Sequence, residues 1–131
     1  MAAAGQKTRI RWGRVVLAAV AAEASVILLI AAISILRPEF RESAGYYVAA
    51  PASALATFLM TLWVVRNLET GFILHGILVG LIGVVLTGGF IFTAKPGDRL
   101  MYVVSFVLRI VGGYVGGLVA QKPAAAREAR A

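Results

Sequence analysis

Three ionisable side chains lie inside long apolar stretches of this sequence: Glu23, His75 and Arg109. A charge at mid-membrane costs on the order of 2.5–3.5 kcal/mol on insertion scales, so such groups face the protein interior and pair. Glu23 lies eight residues into its apolar run, about 12 Å deep at 1.5 Å per residue. Arg109 lies eleven residues from the end of its own run, about 17 Å deep. An arginine side chain is long enough to close that difference, which predicts an ion pair between the two. The pair has two readings, a bridge that fixes helix register or a proton or ligand site. His75 is the only histidine, and with no cysteine in the chain it cannot make a tetrahedral zinc site alone. It reads as a neutral imidazole bonded to a neighbouring helix, or as a proton relay with Glu23. Ser53 and Thr57 are hydroxyls that could line such a relay, although hydroxyls in helices usually bond back to the carbonyl four residues earlier. No paired carboxylate, nucleophile–base pair or HExxH motif occurs. The expectation is therefore no catalytic residue, no enzyme activity, no metal and no cofactor.

The elements that hold these groups follow from composition. Of 131 residues, 60% are hydrophobic, against about 45–50% in soluble domains, and the mean hydropathy is +0.87. This excludes disorder and a collagen-like fibre, and the absence of cysteine excludes a disulfide framework. The net charge of +7 would suggest nucleic acid in a soluble domain. Here the basic residues flank apolar runs, where each contributes about 1 kcal/mol at an anionic lipid surface, so no nucleic-acid partner is expected.

Four apolar runs are visible: Val15–Leu36, Ala44–Val65, Gly71–Ala94 and Leu100–Ala120. About 20 apolar residues span a bilayer as a helix. Trp12, Tyr46, Tyr47 and Trp63 stand at run ends, where interfacial aromatics sit. Pro51 predicts a kink in the second run, and KPGDR at 95–99 is a turn signal. Loops this short force antiparallel neighbours. The expected fold is all-α, one integral membrane domain of four transmembrane helices, up-down-up-down, with polar tails at 1–14 and 121–131. The second tail is expected to be mobile. A β-barrel is excluded because the runs do not alternate. A cleaved signal peptide does not fit the first run, which is too long and contains Glu23.

Lys and Arg set the orientation. Lys7, Arg9, Arg11, Arg14, Arg66, Lys122, Arg127 and Arg130 fall on one side, against Arg37, Arg41, Lys95 and Arg99 on the other. Both termini are expected in the cytoplasm, in a bacterial inner membrane crossed several times.

Small residues form stripes. Gly76, Gly80 and Gly83 with Thr87 share one face of the third run, and Gly112–Gly116 and Gly113–Gly117 give two small-xxx-small pairs in the fourth. Ser105, Arg109, Gly112 and Gly116 share a face, and Tyr46, Ala50, Ser53, Thr57 and Thr61 form a matching stripe in the second run. Such stripes let helix backbones approach closely in lipid. They leave internal packing, a homo-oligomer and docking on a larger membrane complex open as partners beside the bilayer itself.

The segments WGRVV (12–16), AAEA (21–24), LHGILVG (74–80) and RIVGGYVGG (109–117) resemble small four-span bacterial membrane proteins of unassigned activity. The likeness covers residues 12–120 and implies a fold and a compartment. AAEAS, with its glutamate in an alanine-rich first span, is also similar to the small multidrug-resistance transporters. In that family the glutamate exchanges protons for cationic drugs, and Glu23 is the matching position. Two departures stand against it. Arg109 would occupy the glutamate, and the family's drug-site aromatics have no match, since Tyr46, Tyr47 and Trp63 fall near span ends. The expected function is a structural or accessory membrane bundle packing on itself or on a larger complex. The alternative is a small proton-coupled transporter or channel that uses Glu23.

Overall fold

The computed structural model of the chain describes residues 9–40 and 47–130. Lys7, Arg41, the run start at Ala44 and the interfacial Tyr46 lie outside them. Helices make up all the regular structure of the described residues. α1 runs Trp12–Leu36 and is followed by a single 3₁₀ turn, Pro38–Phe40. α2 runs Ala49–Val65, α3 Phe72–Thr87 and α4 Arg99–Glu128, with a separate helical turn, Phe90–Thr93, between α3 and α4. Three segments are long and apolar enough to cross a membrane: Trp12–Leu36, Phe72–Thr93 and Arg99–Glu128. Ala49–Val65 is apolar but shorter. The chain is a helical membrane protein.

Each helix departs from the simple apolar-run boundaries for a local reason. α1 starts a turn early because the Arg11 carbonyl accepts from the Arg14 and Val15 amides. α2 is 17 residues, about 25 Å at the helical rise, against a hydrocarbon core of about 30 Å. Its late start puts Pro51 in the first turn, where the missing amide has no helical partner to lose. The kink expected there has no cause. α3 begins at Gly71, whose φ of 75° is the left-handed backbone that other residues resist by about 1–2 kcal/mol. It does not run unbroken to Ala94. At Gly88 and Gly89 the amides of Ile91 and Phe92 bond three residues back instead of four, and the helix stops for two residues. α4 does not stop at Ala120. It continues through QKPAAARE to Glu128, past Pro123, because alanine, arginine and glutamate favour helix. The expected mobile tail is helical over that stretch.

Contacts between helices set their directions. Arg11 meets His75 and Glu23 meets Gly83, so α1 and α3 run the same way. Gly117 meets Phe72 and Ile73 while Gly80 meets Arg109, so α4 runs against α3. Ser53 meets Ser105 and Thr61 meets Gly116, so α2 and α4 run together. α2 and α3 form the centre; α1 packs on one side of them and α4 on the other.

Packing is concentrated at one end. The apolar core is Val15, Ala18, Ala19, Val64, Val65, Phe72 and Val79. Beyond Val26 in α1, Gly83 in α3 and before Ser105 in α4, no described residue is buried. At that other end Leu28, Ile35, Leu36 and Phe92 are exposed, as lipid-facing side chains are.

Candidate functional site

Glu23 and Arg109 meet where the packed end gives way to the open one. Arg109 Nη1 lies 2.9 Å from Glu23 Oε1, and both side chains are about nine-tenths buried. The two belong to the outer helices, so the contact crosses the bundle between α2 and α3. Glycine makes the crossing short. A Cβ on Gly83 would come within 2.9 Å of Glu23 Oε1, and one on Gly80 within 2.8 Å of the Arg109 carbonyl oxygen. α3 can pass between acid and base only with hydrogen at both positions.

The guanidinium has further partners. Nη1 also donates to Thr87 Oγ1 and to the Gly83 carbonyl at 3.3 Å, and Nη2 donates to Ser53 Oγ at 3.3 Å. Nε is buried without a partner. The guanidinium carbon lies 5.8 Å from the centre of the Phe106 ring, within cation–π range. Ser53 Oγ donates to the Ala49 carbonyl at 2.6 Å, Thr87 Oγ1 to the Gly83 carbonyl at 2.9 Å, and Ser105 Oγ to Ser53 Oγ at 3.5 Å. Glu23, Arg109, Ser53, Ser105 and Thr87 thus form one polar cluster fed by all four helices.

The cluster is not sealed. A cavity of about 730 Å³ runs from Glu23 and Arg109 to Lys95 and Asp98 at its rim, walled largely by apolar side chains such as Ile27, Ile30, Met101 and Phe106. Below the cluster the helices close on one another: Gly76 and Gly113 face each other's carbonyls, Gly112 faces the Ala54 backbone, and Gly116 and Gly117 face Thr61 and Ile73. Every stripe glycine is therefore engaged within the chain.

No family model matches this chain. No curated protein and no solved structure is detectably similar to it. Glu23 carries Arg109 against it in place of an open face.

His75 stands apart from this cluster. It is eight residues from Gly83, about 12 Å along α3, and is fully buried near the start of α1. Its Nε2 accepts the Arg11 backbone amide at 3.2 Å, so Nδ1 carries the proton and donates to the Gly71 carbonyl at 2.8 Å. The imidazole ties the first turn of α1 to the first turn of α3. Thr57 is buried on the Ser53 face, with no hydrogen bond joining it to the cluster among the described residues. Thr61 Oγ1 is buried without a partner beside Gly116. Among the described residues no three of His, Cys, Asp and Glu come together as a metal site would require.

Spacing alone did not identify Thr87 as a ligand of the arginine. Its only signal was its place on the Gly76–Gly80–Gly83 face. Ser105 had the equivalent signal on the Arg109 face. Phe106 had the i, i+3 spacing to Arg109 within α4, whereas the cavity had no signal, because it depends on the distances between helices.

Proposed function

We propose that this protein is a four-span integral membrane protein, with both termini in the cytoplasm, that binds and translocates a small solute at the Glu23–Arg109 pair, with Glu23 as its proton-exchanging group. One observation carries the reading: a buried ion pair lies at the floor of a 730 Å³ cavity instead of inside close-packed core. A bridge that serves only register gains nothing from access, and access weakens it by admitting water. The alternative, an accessory bundle packing on itself or on a larger complex, rests on the small size and the glycine stripes, and those glycines pack within the chain. The short α2 fits a span whose ends are thinned or covered by its neighbours. The orientation rests on the excess of Lys and Arg at the end holding Arg11, Arg14, Arg66 and Lys122.

Reconstitution into liposomes tests this. An imposed pH gradient is expected to dissipate faster with wild-type protein than with Glu23→Gln at equal folded amount. Equal rates from the two proteins and from empty liposomes would remove the transport reading. Orientation is checked separately with single cysteines at Gly97 and Gln121, since the natural chain has none. An impermeant thiol reagent added to intact cells should label position 97 and leave 121 unlabelled.

A further inference from the structure

The directions of the hydrogen bonds at the cavity floor narrow what the cavity can hold. Each hydroxyl there already donates its one proton to protein: Ser53 to the Ala49 carbonyl, Thr87 to the Gly83 carbonyl, and Ser105 to Ser53 Oγ. Arg109 Nη1 faces the oxygens of Glu23, Thr87 and Gly83, Nη2 commits one of its two protons to Ser53 Oγ, and Nε is sealed off. Glu23, by contrast, receives no hydrogen bond from any described residue beyond its ion contact with Arg109. Toward the cavity the floor therefore presents lone pairs and few protons.

Charge narrows it further. Glu23 and Arg109 neutralise each other. A ligand with net charge would leave that charge uncompensated about 15 Å below the rim, counting from Arg109 back to Arg99. Uncompensated charge in a low-dielectric site is strongly disfavoured. The walls between floor and rim, including Val26, Ile27, Ile30, Met101 and Phe106, accept an apolar body.

We propose that the cavity binds an uncharged amphiphile, whose buried end donates a hydroxyl or amide N–H to the Glu23 carboxylate and whose apolar chain extends along α1 and α4 to the rim. This rests on the solute-site reading and assigns that site its ligand class. It separates the site from one that takes organic cations, because here the acid is already paired.

The test uses the full chain in nanodiscs and a straight-chain alcohol of about ten carbons bearing a mid-chain diazirine, matched to the roughly 15 Å between floor and rim. After irradiation, adducts are mapped by mass spectrometry. Adducts are expected between Val26 and Ile30 and between Met101 and Phe106. Unlabelled alcohol and primary amide of the same length should compete about tenfold better than the alkane, the carboxylate or the trimethylammonium, as one hydrogen bond to a charged acceptor allows. Ile27→Trp should abolish these adducts with the melting temperature unchanged, and Glu23→Gln should shrink the preference for alcohol over alkane. Equal competition by the alkane would overturn the proposal, because the floor would not be read. Better competition by the trimethylammonium would overturn the uncharged ligand and leave Glu23 as a site. Adducts confined to lipid-facing residues such as Leu28 and Val85 would overturn it outright. Loss of Glu23-dependent flux with the alcohol preference retained would instead remove transport and leave the binding site standing.

Discussion

The two ends of this bundle are built on different rules. At the end holding Val15, Val65 and Phe72, helices meet through hydrogen atoms: Gly76 on Gly113, Gly112 on Ala54, Gly117 on Ile73. At the end holding Leu36, Thr93 and Arg99 no described residue of α1, α3 or α4 is buried, the α3 ladder breaks at two glycines, and a cavity fills the space between helices. Lipid supplies no hydrophobic drive for helix association, so close backbone approach is what holds such helices together. One end has that approach and the other lacks it. Rigidity at one end and room at the other is the arrangement a binding site needs, and the Glu23–Arg109 pair lies at the boundary.

The largest break in this contrast should come from the boundary itself. Arg109→Ala leaves Glu23 buried and unpaired and removes the donors to Thr87 and Ser53. A loss of about 3–5 kcal/mol is expected, read as unfolding in detergent at a lower temperature. Close-packed backbone is the next most sensitive feature. Gly113→Leu would press a side chain into the Gly76 carbonyl, with an expected cost of about 1–3 kcal/mol or more and loss of the compact monomer on size-exclusion chromatography. His75→Phe keeps the volume and removes the acceptor for the Arg11 amide, for an expected loss of about 1–3 kcal/mol and faster hydrogen exchange at the start of α1. Smallest is the open end. Ile35→Ala, on an exposed side chain, should move stability by no more than about 0.5 kcal/mol. A loss at Ile35 as large as that at Gly113 would erase the distinction between the two ends.

Parts of this arrangement were legible from residue types and spacing. Counting rise per residue put Glu23 and Arg109 at similar depth, and their side chains meet at 2.9 Å. The face shared by Ser105, Arg109, Gly112 and Gly116 and the face shared by Ala50, Ser53, Thr57 and Thr61 are both buried. These are period-3.6 signals, and they survive because a helix keeps its faces wherever it packs. What was not legible depends on distances between helices or on local competition. Thr87 reaches Arg109 only because α3 passes between α1 and α4. Gly88 and Gly89 fall inside a continuous apolar run, yet the helix stops there. Pro51 looks like a kink until the late start of α2 places it in the first turn. Pro123 and its alanines look like a tail, yet helix propensity carries α4 to Glu128.

Cysteine accessibility tests the asymmetry most directly, because the chain has no cysteine of its own. Ser105→Cys places a thiol at the cavity floor, and Thr61→Cys places one in the close-packed end, where the native residue is fully buried. In reconstituted vesicles sorted for orientation, a small water-soluble thiol reagent should modify position 105 when added on the side of the Lys95–Asp98 turn, and not from the other side. Position 61 should stay unmodified from both. Protection of 105 from both sides, or labelling of 61 as fast as 105, would contradict the account.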